Sequence, residues 1–585
     1  MRKTQDVDSK GRCIMNNLVA TVIDTTGIQK YIFASNRLRE NIGGSYLVQV
    51  ATNKWVKECL RELQKLGQVY IPDDETEDFE AHIATNIEII GEFVYAGGGS
   101  TVLLFRTEEY AKNFTKQLTK KILHEAPGLN IVIAHEVFDW DNDSLQEVIE
   151  RKLIQEKLEN QKRKPKPSMP ILGLAVTATC NSTGLVAVDH SKRYGIPAND
   201  SYLVSRETVA KLKTVDKKHD ELANLELKES IFKDLNLGDY QIPYDVDDLG
   251  RSEGDSSYIA IVHADGNRLG SRFQDYLKTA SDNEDCIIKM RKFSQAVNNA
   301  GKNALRAIAE ILLNLITIED ERAVINYIDT KSGEIINKII LQKRDEKTYL
   351  PFRPLVYGGD DITFVCDGRL GLSLAAKLLD KFEEFTSNLP DNKDKATACA
   401  GIAIVKTHYP FAKAYALSEA LCSQAKKWVK KQTNDFKKPI FSALDWHIAA
   451  SGLIGLINEI RKREYEVKLP EWDKVASLVM RPMHSGSYEN EWRTWSNFAE
   501  VVNEFNTHKD WKDKRNKVMR LRDVLRQGHE ATKQFRHLHS LKSLPKFPQA
   551  NTQVGEEGWW NGVCAYFDAI EAMEFYIPLG DSSDE

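Results

Sequence analysis

The sequence predicts an α+β protein in which one βαββαβ unit is used twice, with a helical region after the second copy. Three observations carry this. Apolar runs at 18–23 and 258–264 each end in an aspartate, Asp24 and Asp265. After a helical stretch, each is followed by two apolar runs joined through glycines. In the first copy these flank Gly97-Gly98-Gly99-Ser100, and in the second Gly358-Gly359-Asp360-Asp361. A helical stretch and one more apolar strand then close each copy, at 130–134 and 399–405. The same order of elements twice in one chain is read as an internal repeat.

The elements follow in order. In residues 1–150, the strand at 18–23 leads into a helical stretch through Ile28, Ile32 and Leu38. The glycine-rich hairpin comes next, then a helix over about 107–124. Residues 151–250 form a linker and helical insertion. Within it Lys162-Arg163-Lys164-Pro165-Lys166-Pro167 is expected to be an exposed basic loop, because proline cannot continue a helix; a nucleic-acid contact there stays open. His219-Asp220 lies in a mixed-charge stretch without a companion histidine cluster and reads as surface.

Residues 251–445 hold the second copy. Its long helical stretch covers about 286–316, and residues 326–350 alternate apolar and polar around a turn at 329–333, as an inserted hairpin would. Residues 446–585 read as a C-terminal helical domain, whose tryptophans, Trp492, Trp495 and Trp511 among them, are expected in its core. The acidic tail 580–585 is expected to be disordered.

Composition excludes several classes. The 585 residues carry a net charge of −5 with both signs abundant, so no strong field for nucleic acid or membrane is implied. The eight cysteines contain no Cys-x-x-Cys pair, which argues against a zinc ribbon or disulfide framework and for reduced thiols in a cytoplasm. No apolar run of about 18 residues offers a membrane span.

The chemistry sits at the strand ends. Gly-Gly-Asp-Asp alone fits an ordinary hairpin with acidic turn residues. Joined with Asp265 at the end of a neighbouring strand, it becomes a set of three carboxylates able to hold divalent metal ions, as in a polymerase or cyclase palm. Gly266, Asn267, Gly358 and Gly359 would let a nucleotide approach the backbone closely. In the first copy Gly99 and Ser100 stand where Asp360 and Asp361 stand in the second, so that unit is expected to be catalytically dead. Its hairpin, through Gly98, Gly99 and Ser100, is either a second nucleotide wall or simply a turn.

These residues resemble the large, polymerase-like subunit of type III CRISPR complexes and its relatives. The second copy carries Ala-Asp-Gly-Asn-x-x-Gly at 264–270, Gly-Gly-Asp-Asp at 358–361, the strand at 400–405 with Tyr409-Pro410, and a helix ending Gln424-Ala425-Lys426-Lys427. The first resembles that family's first palm through residues 27–33, 37–40 and 43–45. The resemblance implies two ferredoxin-like palm domains, the second with intact GGDD, that join ATP through 3′–5′ bonds into cyclic oligoadenylates in antiviral defence. It further implies Mg²⁺ or Mn²⁺ at Asp265, Asp360 and Asp361, and phosphate contacts from Lys426, which could equally be a solvated helix-end cation.

Two departures stand out. The first palm starts about twenty residues from Met1, without the HD nuclease domain many members carry. Only Cys180 stands where cysteine pairs usually bind zinc. A stand-alone enzyme without DNase activity is therefore expected. Three alternatives stay open: a subunit of an effector complex governed by guide and target RNA, a diguanylate-type cyclase, and a nucleotide-sensing scaffold. The sequence allows an oligomer without establishing one.

Overall fold

The computed structural model describes residues 17–73, 78–164, 173–249, 257–329, 331–344, 346–449, 455–469, 474–486, 491–547 and 549–580. The prolines of the expected basic loop, the tail 581–585, Cys13 and the boundary at 250 fall outside the described residues.

The first unit runs β1 (Leu18–Thr26), α1 (Ile28–Phe33), α2 (Leu38–Thr52), α3 (Lys54–Glu62), β2 (Gln68–Tyr70), β3 (Ile89–Gly97), β4 (Ser100–Phe105), α4 (Glu108–Glu125) and β5 (Asn130–Phe138). Its sheet order is β2-β3-β4-β1-β5, the ferredoxin-like arrangement with one short strand added at the edge. Thr107 caps α4 by accepting from the Tyr110 N–H, and Glu108 and Glu109 suit the positive end of the helix dipole. Three consecutive helical pieces follow: Leu145–Glu147, Val148–Leu158 wound as a π-helix, and Glu159–Lys162, together α5. Lys162 thus ends a helix instead of opening a loop. The prolines at 165 and 167 restrict only the residues after it. The boundary expected at 150 cuts this helix.

In the insertion lie α6 (Arg206–Lys213) and α7 (Leu222–Ser230). His219 is half-exposed and bonded to Asp216 at 2.8 Å. Among the described residues no three His, Cys, Asp or Glu side chains are grouped to hold a metal ion, there or elsewhere.

The second unit runs β6 (Tyr258–Gly266), α8 (Leu269–Leu277), α9 (Asn283–Asn314), a meander β7 (Ile316–Glu319), β8 (Arg322–Ile328) and β9 (Ile335–Ile340), then β10 (Phe352–Gly358), β11 (Asp361–Asp367), α10 (Gly371–Phe385), β12 (Ala398–Lys406) and α11 (Phe411–Gln432). The expected inserted hairpin is β8–β9, and β7 makes it three-stranded. The main sheet has the order β10-β11-β6-β12, extended by β13 (Ala443–Ala449) and β14 (Met483–His484). β13 lies parallel to β12, so the boundary expected at 445 falls inside a strand of the second palm.

Alternation along β6 builds two cores. Ile259 and Ile261 join a cluster with Val19, Ile23, Leu103 and Phe105 of the first unit. Ala260, Val262 and Ala264 face the other way, into a cluster shared with Phe498, Trp511, Leu521 and Tyr566. A two-residue period puts successive side chains on opposite faces. The second palm is therefore packed between the first palm and the C-terminal region, whose longer helices are α12 (Ile457–Glu464), α13 (Trp495–Thr507), α14 (Arg515–Leu525) and α15 (His529–Leu538). Trp446, Trp511 and Trp559 are buried, and Trp492 and Trp495 pack against the same cluster. The cysteines among the described residues are free thiols, all buried. No helix of the described residues is long and apolar enough to cross a membrane.

Candidate active site

The register of the two sheets tests the repeat residue by residue. In the first palm Ile23 faces Thr101 and Asp24 faces Ser100. In the second Ala264 faces Ile362. Asp24 therefore corresponds to Asp265, Ser100 to Asp361 and Gly99 to Asp360. Both hairpins are two-residue turns, closed by Gly97 with Ser100 and by Gly358 with Asp361. They differ in backbone. Gly98 and Gly99 both have positive φ, 58° and 78°, whereas in the second turn only Gly359 does, at 75°. Two positive residues match a type I′ turn and one a type II′ turn. The second form leaves Asp360 in a conformation that an L side chain adopts without strain.

A reciprocal exchange of size accompanies this. A Cβ on Gly266 would lie 2.8 Å from Oδ2 of Asp360, so the missing side chain makes room for the carboxylate. In the first palm the next residue after the aspartate is Thr25, and a Cβ on Gly99 would lie 2.7 Å from its Oγ1. Thr25 donates from that oxygen to the carbonyl of Gly99 at 3.0 Å, and Ser100 donates to the carbonyl of Ile23 at 3.1 Å. The first hairpin is thus tied to its own sheet and has no space for a carboxylate at 99.

Helix α9 positions both hairpins. Arg291 and Ser294 lie along β3, and Ser294 donates to the Ala96 carbonyl at 3.4 Å. One turn further, Asn298 accepts from the Gly359 N–H at 3.4 Å, and the carbonyl of Gly359 sits directly against Gly301. Ser294 and Gly301 are seven residues apart, about 10 Å along the axis at 1.5 Å per residue. A cavity of about 350 Å³ runs along this helix past Ala96, Ser294 and Asn298. The larger cavity, about 830 Å³, is lined by Tyr258, Trp511 and Phe575 at the opposite end of β6 and takes no part in the site.

Helix α11 supplies the cation. Nζ of Lys426 is 2.5 Å from Oδ2 of Asp265 and donates to the Gly266 carbonyl at 2.8 Å. Burial pulls the Lys426 pKa down, but the charge of Asp265 and its hydrogen bond raise it overall. Burial, and then the charge of Asp265, raise Asp360. Asp361 is pushed up to about 7, by burial first and then by Asp265, Asp360 and Glu419. Glu419 lies on α11 one turn before Cys422 and accepts from Gln29 of α1 at 2.9 Å. Oδ1 of Asp361 is buried without a hydrogen-bond partner, and Nδ1 of His263 lies 3.5 Å from it. Burial lowers the His263 pKa, which disfavours a counter-charge on the ring.

These observations fit a divalent cation. The donors are hard carboxylate oxygens, one of them orphaned, and their charges repel. They are not gathered on one point, and Asp265 is paired with Lys426 of α11.

The other expected site residues fall as follows. Asn267 points away from the carboxylates: its amide donates to Thr397 at 3.0 Å and to the Phe441 carbonyl at 3.2 Å, and its oxygen accepts from Cys399. It holds the turn after β6. Gly358, Gly359 and Gly98 have open space where a side chain would stand. Sequence reasoning missed Gly301, Asn298, Glu419 and Lys162. Nζ of Lys162 pairs with Asp24 at 2.8 Å. The spacing of α11 after β12 and of α5 after β5 is the signal that could have found it.

The sheet order of the two units is palm-like. Residues 258–435 match the family model of the Cas10/Cmr2 second palm domain, so the chain contains that domain, and it resembles the large subunit of type III CRISPR complexes. Solved structures similar in shape include a Csm1–Csm4 cassette in complex with cA4, with TM-score 0.48 and 13% identity over 97% of this chain and 71% of that one. Others are the Csm1–Csm4 subcomplex of the type III-A CRISPR-Csm interference complex, with TM-score 0.46, 13% identity and 97% and 71% coverage, and Csm1 of T. onnurineus, with TM-score 0.44, 13% identity and 96% and 70% coverage. Comparison with curated proteins finds no match.

Proposed function

We propose that this protein is a nucleotidyltransferase that joins ATP into oligoadenylates, cyclic ones included, in CRISPR-type antiviral defence. The observation that carries the reading is the set Asp265, Asp360 and Asp361 within the matched second palm, with an orphaned buried oxygen on Asp361. One nucleotide is placed on the second palm, its triphosphate over Gly266 and the paired aspartates and beside Lys426. The other lies against the first palm at Gly98, Gly99 and Ser100. The 3′-hydroxyl oxygen of one attacks the α-phosphorus of the other and gives its proton to solvent water; the new O–P bond forms as the bond from the α-phosphorus to the bridging oxygen of the β-phosphate breaks, and pyrophosphate leaves. Mg²⁺ or Mn²⁺ held by Asp265, Asp360 and Asp361 would supply charge neutralisation and acidify the hydroxyl. Lys426 pairs with Asp265 at the strand end. The packing of Gly359 on Gly301 fixes the height of the aspartate pair relative to the first palm. The cavity along α9 gives room beside both tips.

The same chemistry inside a type III effector complex, governed by target RNA, is the second reading. The Cas10/Cmr2 match supports both equally, because it concerns the palm and not its control.

The test is Asp360→Asn together with Asp361→Asn. Both sit half-buried at a hairpin tip, so the melting midpoint should stay near that of the parent. Product formation from ATP, followed by mass spectrometry, should fall at least about a thousandfold, since losing a metal site removes several kcal/mol of transition-state stabilisation at about 1.4 per decade. Turnover near the parental rate in the folded variant would sink the assignment.

A further inference from the structure

The two palms share a feature beyond their strands. In each, the helix that follows the last strand returns a lysine to the aspartate at the end of the first strand. In the second palm Lys426 of α11 meets Asp265 at 2.5 Å, and in the first Lys162 of α5 meets Asp24 at 2.8 Å. The two ammonium groups are similarly placed between protein and solvent, with side-chain exposures of 31% and 29%. The first palm has kept the lysine and the strand-end aspartate while losing both hairpin carboxylates and the space for one of them. Glu159, one turn back on α5, holds the same Nζ at 3.0 Å. The hairpin tip beside it is bare backbone at Gly98.

We propose that Lys162 is a positioning residue of the first palm: it offsets the charge of Asp24 and presents an N–H to the phosphates of the nucleotide lying against Gly98. This rests on the reading that the first palm holds the second nucleotide. A primary ammonium has three N–H groups, of which Asp24 and Glu159 take two. With no carboxylate pair on the hairpin, Asp24 left alone would repel a triphosphate. Lys162 offsets the charge of Asp24, Glu159 leaves the trio one negative charge, and the remaining N–H is the group that meets the phosphates. The second palm keeps three carboxylates and activates its nucleotide. The first seat would hold a nucleotide without activating it.

The experiment uses the full chain and an ATP analogue with a methylene group between the α and β phosphorus, titrated by calorimetry with Mn²⁺ present. The parent should bind two analogues per chain. Lys162→Met should weaken one of the two by roughly tenfold or more, the usual loss for a hydrogen bond to a charged group. Mn²⁺ affinity at the second palm should be unchanged. Lys162→Arg should recover most of the loss, and Lys162→Gln, which keeps an N–H donor but is one atom shorter and uncharged, should not. In Asp24→Asn with Lys162→Met the loss should be recovered only in part, because neutralising Asp24 removes its repulsion but does not replace the donated N–H.

Two equal sites in folded Lys162→Met, or full recovery in the double variant, would overturn the proposal while leaving nucleotide joining intact. A parent that binds one analogue per chain yet still makes product would also overturn it. A parent that binds two but makes no product would instead refute the activity and leave the role of Lys162 standing.

Discussion

At the scale of single residues, the site is a balance of charge. Three carboxylates and Glu419 crowd one strand end, and Lys426 is the cation bonded there. If a divalent cation and Lys426 compete for Asp265, Lys426→Met should tighten Mn²⁺ binding by about threefold to tenfold, while kcat falls because nucleotide phosphates lose a partner. Mn²⁺ titration by electron paramagnetic resonance, run beside the turnover assay, separates the two effects. Weaker Mn²⁺ binding would mean that Lys426 holds Asp265 in its productive position. Of the residues singled out from sequence, Asn267 has the least chemical freedom, since both ends of its amide are already bonded.

At the scale of elements, one glycine lets helix α9 approach the second hairpin. On α9, a side chain at Gly301 would collide with the carbonyl of Gly359. Gly301→Ala should raise helix propensity by about 1 kcal/mol and yet displace the Gly-Gly-Asp-Asp tip. Its expected signature is a melting midpoint near the parent's with turnover reduced about tenfold or more. A normal rate would show that the tip tolerates movement. β13 carries a different signal. His447 is buried without a hydrogen-bond partner, and its pKa is lowered to about 3 by burial first, then by Arg481 and Arg461. Its folded pKa lies below its unfolded value. The stability it contributes is full above about pH 6.5 and is lost as pH falls toward 3, where the unfolded chain takes up the proton first. Denaturation midpoints of the parent should therefore drop between pH 7.5 and 5, and those of His447→Gln should drop less. His484, lowered to about 4 by burial and Arg493, keeps a residual slope of the same sign.

At the scale of the molecule, the palms are joined by a buried ion pair. Arg291 of α9 meets Glu92 of β3 at 2.7 Å, with both side chains almost wholly buried. The same guanidinium donates to the carbonyls of Phe93 and Val94. Arg291→Met leaves Glu92 buried without its charge partner and should cost about 3–5 kcal/mol, read by chemical denaturation. Adding Glu92→Gln should recover part of it. The short segments that carry the resemblance in the first palm also hold it to the rest of the chain, Glu40 and Gly43 to the insertion and Ser45 to the second palm. Glu40 accepts from Tyr202 at 2.6 Å and Ser182 at 2.7 Å, Gly43 lies against the backbone of Lys211, and Ser45 donates to the Leu355 carbonyl of the second palm.

The sequence by itself determined the repeat, the strand ends and the turn glycines. These are local: strand periodicity, positive φ and the order of elements are set by neighbours a few residues apart. From them Asp265, Asp360 and Asp361 could be named, and the loss of two carboxylates at Gly99 and Ser100 seen. Only the tertiary structure decided how the tips are held. Lys162 reaches Asp24 and Lys426 reaches Asp265 across more than a hundred residues of chain, and Gly301 receives Gly359 because one helix crosses both hairpins. Such contacts depend on how helices dock on sheets, and nothing in the local pattern around a lysine or a helical glycine records it. The expectation that Lys162 is loop failed for that reason: two nearby prolines dominated the local reading, while the partner that gives this residue its place stands at the far end of the first palm's sequence.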